Sequence, residues 1–459
     1  MRISFGPTRT HHRRATLTHP TNRREFLQNS SERAALAVAV ASLGGVHTFA
    51  DESRRKLRVG LLGCGGQMRD HVQNSLASLK DEMTVDWLCD VDSRGLDYTG
   101  KLLSAYQTET PRITSNLEDV ITDPRVDVCV IASPHHWHAP MALRAMQEGK
   151  DVYIEKPMSH VYSEGPRIVA AAKKLGRVVQ HGSQMRSSPV TEKAGKLLAD
   201  GIIGDIKVAR AWTAETREEV KPVPDSAAPE GVDYDRWLGP APVHAFNKHR
   251  FHFNWRFFRE YGNGEIGDDG IHDLDMATWG LGVNSLPIKV TARGGRMMMP
   301  NHFSEFPDNM HAVYEYPDGR VLIYENYPFT EYGLHGYDNG NVFYGTEGYM
   351  VFSRRGAFNV YLGPKGKPGP TEGKELRSKQ GYVEHMADFF KAVRERTSTV
   401  GNPEVANRSC ALVHFGEIAY RTRGALEFDL QTEQFVDCDE ANQLLTKSYR
   451  APYGLPDIS

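Results

Sequence analysis

From Lys56 onward, short apolar runs at 57–62, 85–89, 126–132, 151–154 and 178–181 alternate with amphipathic stretches of helical period. That alternation predicts strands separated by helices, the pattern of a doubly wound parallel sheet. Val128-Cys129-Val130-Ile131 is apolar on both faces, as a strand covered by helices on each side must be. Beyond about Ser187 the runs lengthen and alternate with polar positions at 206–212, 288–293, 310–316 and 321–327, which predicts an antiparallel sheet. Pro317-Asp318-Gly319 supplies the turn of a hairpin between the last two. The predicted fold is therefore α/β followed by α+β: a leader at 1–50, a nucleotide-binding domain at 51–186, and a substrate-binding and oligomerisation domain at 187–459 whose tail packs back on the first.

A chain of 459 residues, 40% hydrophobic and 25% charged, can bury the cores of two domains. Its net charge of −3 provides no broad field for nucleic acid or anionic lipid, so the expected partner is a small molecule. No stretch reaches the roughly 18 apolar residues of a membrane-spanning helix. The five cysteines show no metal-ligand spacing, and Cys64, Cys89 and Cys129 fall in or beside predicted buried strands, where thiols behave as small hydrophobes.

Residues 1–50 read as a targeting segment. Arg23-Arg24 precedes Phe26-Leu27, an Ala/Gly-rich apolar stretch spans 34–46, and Thr48-Phe49-Ala50 offers a small-residue cleavage site. This resembles a twin-arginine signal and predicts a periplasmic protein. That route carries proteins already folded, so a cofactor loaded beforehand and reduced cysteines would follow.

Chemistry enters with the turn after the first strand, Gly63-Cys64-Gly65-Gly66-Gln67-Met68. Its glycines let a backbone approach a pyrophosphate at a helix amino terminus, and Met68 stands where the third glycine of such a motif belongs. Asp90, ending the second strand, suits the adenosine ribose hydroxyls and favours NAD, while Arg94 leaves NADP open if it turns inward. Ser133-Pro134-His135-His136-Trp137-His138 reads as a loop at the same sheet edge, flanking the nicotinamide through Ser133, Pro134 and His138. Its three histidines lack a neighbouring carboxylate or cysteine, so no metal is expected. Glu155-Lys156-Pro157 then closes the 151–154 run and carries an ammonium to that edge.

In the second domain a glycine-rich turn, Gly262-Asn263-Gly264, leads to Asp268 and His272. Four residues apart on one helix they would share a face, forming a carboxylate–imidazole pair fit to remove a hydroxyl proton. The stretch from His249 to Tyr261, rich in Phe, Trp, Arg and His, fits a carbohydrate pocket and fits core packing equally well.

Together Gly63-x-Gly65, Asp90, the 134–138 segment, Glu155-Lys156-Pro157 and Asp268-x-x-x-His272 resemble the glucose-fructose oxidoreductase, inositol dehydrogenase and MocA family across nearly the whole mature chain. Gly345-Thr346-Glu347-Gly348, the helical run 385–396 and the segment 414–421 fit as well. The resemblance implies a nicotinamide-dependent oxidoreductase of sugars or polyols, with Lys156, Asp268 and His272 as a catalytic triad and a cis Lys156-Pro157 bond. It also implies a cofactor that stays bound, and a homo-oligomer formed through the C-terminal sheet. A redox-assisted glycosidase using NAD is the alternative, and a non-catalytic sugar sensor ranks below both because all three triad members are present.

Overall fold

Two sheets organise the chain, and the site lies where the carboxyl edge of the first meets helices laid on the second. The computed structural model describes residues 55–327, 330, 333–373 and 381–458; the expected leader lies outside the described residues. Strands β1 (Leu57–Leu62), β2 (Met83–Cys89), β3 (Arg112–Thr114), β4 (Val128–Ile131), β5 (Asp151–Ile154) and β6 (Val179–His181) form a parallel sheet in the order β3-β2-β1-β4-β5-β6. They alternate with helices α1 (Gly66–Asn74), α2 (Ser93–Leu103), α3 (Leu117–Ile121), α4 (His135–Gln147) and α5 (Glu164–Leu175). The order reverses between β1 and β4, the crevice at which a doubly wound sheet binds its ligand. Every residue of β4 and β5 is buried, which accounts for their unbroken apolar runs. Sequence periodicity missed β3, a three-residue edge strand with Arg112 and Ile113 exposed, because a strand paired on one side and wet on the other carries little apolar signal.

After α6 (Pro189–Ala199) comes β7 (Ile206–Thr213), then α7 (Tyr234–Leu238), α8 (Gly264–Asp268) and α9 (Gly270–Leu281). Strands β8 (Lys289–Gly295), β9 (Asn309–Glu315), β10 (Val321–Asn326), β11 (Asn339–Gly345), β12 (Gly348–Ser353), β13 (Ala357–Leu362) and β14 (Lys367–Glu372) follow. The chain ends with α10 (Tyr382–Glu395), α11 (Pro403–Thr422), β15 (Ala425–Asp429), β16 (Gln434–Phe435) and α12 (Asp439–Leu444). Among the described residues this second sheet has ten strands in the order β14-β13-β12-β11-β7-β10-β9-β8-β15-β16, antiparallel except where β10 runs parallel to β7. Gly319, at φ +82° and donating its N–H to Tyr316 O at 2.9 Å, turns the β9–β10 hairpin.

Helix α10 leaves the second sheet and completes the first core. Met386, Phe389, Phe390 and Val393 share one apolar cluster with Leu57, Val59 and Val85. Two fully buried phenylalanines contribute about 1.5–3 kcal/mol each, enough to fasten the helix there. The tail follows the same course: Lys447 Nζ lies 2.8 Å from both His160 Nδ1 and Glu164 Oε1, and Tyr449 donates to Glu164 at 2.8 Å.

Candidate active site

The glycine turn is built for close approach. Gly63 has φ +86°, and a Cβ there would stand 2.9 Å from the Ala132 carbonyl and the Ser133 nitrogen, so only glycine lets β1 turn against the end of β4. A Cβ on Gly65 or Gly66 would meet nothing within 4 Å, so the face at the amino terminus of α1 is open. Cys64 and Met68 are fully buried, so their side chains leave that open face clear for the close approach a pyrophosphate requires. Met68 fills the core beneath α1 in one cluster with Leu61, Val72 and Leu88.

Asp90 pins this turn to β2. Its carboxylate accepts the N–H of Cys64 at 2.5 Å and of Asp92 at 2.8 Å. Beside it lies a cavity of about 350 Å³, lined by Asp90, Val91, Ser93 and Ser115 and, from the second domain, by Gly231, Val232 and Asp233. Position and size suit the adenosine end of a dinucleotide. Arg94 is turned away from Asp90 and bonds the Asp92 carboxylate at 2.8 and 2.7 Å, an arrangement that favours NAD over a 2′-phosphate. The Ser133 hydroxyl, next to the glycine turn, is buried and has no hydrogen-bond partner among the described residues.

The 133–138 segment is a loop only as far as Pro134. His135, His136, Trp137 and His138 form the first turn of α4, with Pro134 at its cap, and even Pro140 lies inside the helix. Each histidine meets a different protein group: His135 Nδ1 lies 3.0 Å from Asn263 Oδ1, His136 Nε2 3.0 Å from Trp237 O, and His138 between the carbonyls of Pro157 (2.7 Å) and Ser133 (2.8 Å). Burial holds all three below the ordinary histidine pKa. Among the described residues no group of three His, Cys, Asp or Glu is placed to hold a metal.

At the end of β5, Glu155 is buried and Lys156-Pro157 is a cis peptide. The Lys156 ammonium donates to the backbone carbonyl of Asp268 and lies 3.3 Å from its Oδ1. Arg256 pairs with Oδ2 of the same carboxylate while its guanidinium stacks 3.8 Å from the Phe253 ring. Burial alone would raise the Asp268 pKa; the charges of Arg256 and Lys156 outweigh it and keep the group ionised.

One expectation changes here. Asp268 and His272 do not share a helix, since α8 ends at Asp268, α9 begins at Gly270, and Asp269 separates them. Past the break the packing is tight: a Cβ at Gly270 would stand 2.0 Å from the Tyr324 hydroxyl, so the start of α9 lies close against β10. Asp268 therefore serves Lys156 and Arg256, and the charge of Asp269, followed by that of Glu155, favours His272 protonation. Asp269 is itself bonded to Arg354 at 2.7 Å. Burial first, then the charges of Arg354 and Lys156, bring His272 down to about 3, so its imidazole is neutral at working pH. Its ring has no hydrogen-bond partner among the described residues.

Sequence reasoning passed over Arg217, which pairs with Glu265 at 3.0 Å, and over Arg354 and His71. The 249–261 stretch divides between the two readings offered for it. Phe251, Phe257, Phe258 and Tyr261 pack in a buried cluster with Trp237, whereas Arg256 and Trp255 reach the site, Trp255 edge-on to His135 at 4.6 Å between ring centres.

A parallel sheet in this order, with an open glycine turn and a carboxylate ending β2, defines a dinucleotide-binding domain; the Lys156–Asp268 pair and a neutral histidine facing its edge define a two-domain oxidoreductase architecture. Family profiles agree: "Oxidoreductase family, NAD-binding Rossmann fold" matches residues 57–183, and "Oxidoreductase family, C-terminal alpha/beta domain" matches 173–345 and 368–455. The chain belongs to the Gfo/Idh/MocA oxidoreductase family and is an NAD-dependent enzyme of it. It is 26% identical over 355 residues to the uncharacterized oxidoreductase YrbE of Bacillus subtilis (strain 168), covering 76% of this chain and 90% of that one. It is 26% identical over 330 residues to levoglucosan dehydrogenase of Pseudarthrobacter phenanthrenivorans, covering 61% and 75%. A solved structure, "Levoglucosan dehydrogenase, complex with NADH and levoglucosan", superimposes with TM-score 0.62 at 20% identity, covering 81% of this chain and 99% of that one.

Proposed function

We propose that the enzyme oxidises a hydroxyl of a sugar or polyol, or reduces the matching carbonyl. The observation that carries this reading is the Lys156 ammonium held beside Asp268 at the carboxyl edge of β5, with the neutral His272 imidazole nearby in the same cleft. Gly63, Gly65, Gly66 and Gln67 at the turn, Asp90 at the ribose, and Ser133, Pro134, His138 and Glu155 along the edge would hold the dinucleotide. Bound NAD supplies the two-electron hydride acceptor. Lys156 polarises the reacting oxygen, and Asp268 with Arg256 fixes the direction of its side chain. His272 accepts the hydroxyl proton, which a neutral imidazole can do and a protonated one cannot. The relative named levoglucosan dehydrogenase supports a carbohydrate substrate.

The cofactor is retained between turnovers. The second domain closes over the adenosine end: Val232 bridges Asp92, Ser93 N–H donates to Gly231 O at 3.0 Å, Asp233 N–H to Val91 O at 2.8 Å, and Arg236 to Ser115 Oγ at 2.8 Å. Denaturing the purified enzyme is expected to release about one nicotinamide dinucleotide per chain, and free sugars or polyols are expected to change its nicotinamide absorbance. Cleavage of a nitrophenyl glycoside with no net absorbance change would instead establish the redox-assisted glycosidase, and a dinucleotide-free protein inert to both would end the oxidoreductase reading.

The protein reaches the periplasm through its twin-arginine leader, a reading supported by Arg23-Arg24 before Phe26-Leu27 and by five cysteines that are all unpaired. Replacing both Arg23 and Arg24 with Lys is expected to leave the protein in the cytoplasmic fraction; unchanged export would remove the assignment. Copies associate through the face of the second sheet opposite α9, where Val321 and Ile323 are half-buried while the alternating Leu322 and Tyr324 are buried.

A further inference from the structure

We propose that His71 is a positioning residue for Lys156, acting through the carboxylate of Glu155 on the reaction proposed above. His71 lies on α1, the helix that opens at the glycine turn, and is 1% exposed. Its Nε2 is 2.7 Å from Glu155 Oε1. The same oxygen receives the Gln67 side-chain amide at 3.2 Å, and Oε2 receives the backbone N–H of Lys156 at 3.1 Å. One buried carboxylate thus gathers donors from α1 and from the lysine's own peptide.

The carboxylate has little freedom. A Cβ on Gly182 would stand 2.8 Å from Glu155 Oε1, so the chain just after β6 packs closely against the carboxylate. Burial acts to protonate Glu155, and the hydrogen bond and charge of His71 together with the charge of Lys156 outweigh it, bringing the group to about 2. It is ionised, acceptor-only and fixed.

The ring is equally committed. His71 Nδ1 is buried without a hydrogen-bond partner, and the ring packs edge-on to Tyr153 at 5.2 Å and tilted against Tyr382 at 5.7 Å. Among the described residues the ring's one polar bond is to Glu155. A histidine required only for volume would leave that bond to chance, whereas here the geometry spends it on the carboxylate adjoining the lysine. The helix whose first N–H groups face the dinucleotide therefore also sets the peptide from which the Lys156 side chain departs toward Asp268, so cofactor seat and ammonium are fixed by one rigid part.

The test uses the full-length enzyme as wild type, His71→Leu and His71→Gln, the last placing an amide donor where Nε2 stood. Cofactor-stripped protein is treated with acetic anhydride, and acetylation of Lys156 is measured by peptide mass spectrometry against the exposed Lys207 (62% side-chain exposure). Kd for NADH is read by fluorescence, and kcat and KM are measured on the sugar or polyol that the wild type oxidises. His71→Leu is expected to raise Lys156 acetylation about fivefold or more and to lower kcat about tenfold, with NADH Kd within about threefold; His71→Gln brings both back to within about twofold of wild type. Lys156 reactivity unmoved by His71→Leu, or a His71→Gln enzyme no better than His71→Leu, overturns the proposal. Should His71→Leu fail to fold, Glu155→Gln takes its place: faster Lys156 labelling supports the relay and unchanged labelling overturns it. A wild type that oxidises no sugar, with labelling that still follows residue 71, sinks the proposed reaction and leaves the positioning role standing. Sugar oxidation with labelling indifferent to residue 71 does the reverse.

Discussion

Replacing Lys156 with Ala is expected to lower kcat/KM for the oxidised sugar by about a hundredfold or more, roughly 2.7 kcal/mol of transition-state stabilisation, while NAD(H) affinity stays within about threefold. The size follows from position. The ammonium is 16% exposed, lies against a buried carboxylate, and would oppose the negative charge that develops on the reacting oxygen where water cannot screen it. The fold survives the change, because Arg256 still pairs with Asp268 and no buried charge is stranded. Lys156→Arg is not expected to rescue, since a planar guanidinium cannot occupy the place of a compact ammonium bonded to the Asp268 carbonyl. Pre-steady-state reduction of bound nicotinamide, followed beside a dinucleotide titration, checks both halves; a variant as fast as wild type removes the lysine from the chemistry.

What sequence reasoning could see depended on how local each determinant is. Strands β4 and β5 announce themselves because both faces are buried, and the glycine turn does so because the positive φ and close packing at Gly63 demand that residue. Lys156, Asp268 and His272 were legible as chemical candidates. Their partners were not: Asp268 answers to Arg256, twelve positions back, and Asp269 to Arg354, 85 positions on, pairings that only the assembled sheet creates. The helical guess for Asp268 and His272 failed because the helix is interrupted at Asp269, a break that residue spacing does not encode. The histidine-rich segment read as loop because it is polar and aromatic and follows a strand at the sheet edge, yet Pro134 caps α4 and Pro140 lies inside it. Helix α10 belongs to the first core although more than 200 residues separate it from β6, and His385 marks the junction with its Nε2 2.7 Å from His181 O.

That junction leads to a second large effect, a steep loss of stability in mild acid. Burial, the largest cause in each case, lowers His136 and His272 to about 3 and His181, His385 and His414 to about 4. An unfolded chain protonates each near about 6.5, so their contribution is complete above that pH and is lost as pH falls from there toward the folded values. Two carboxyls act in the opposite sense: burial raises Asp273 to about 8 and Glu215 to about 7, so they hold protons in the fold and gain stability as pH falls. These seven groups alone give unfolding a net uptake that grows from about one proton at pH 6.5 to about three at pH 5, up to about 4 kcal/mol lost per pH unit, a large share of a typical 5–15 kcal/mol. Calorimetry is expected to show Tm falling about 5–10 °C per unit across that window. The rings that would take up charge sit at contacts between packed elements, His136 donating to Trp237 O, His385 donating to His181 O and His414 beside the Ser159 hydroxyl, so dinucleotide should be shed before secondary structure disappears. His414→Gln, which removes one titrating ring, should flatten the slope by about 1.4 kcal/mol per pH unit. A Tm constant from pH 7 to 5.5, or a slope indifferent to His414, would show that these rings are not the neutral, buried groups their surroundings require.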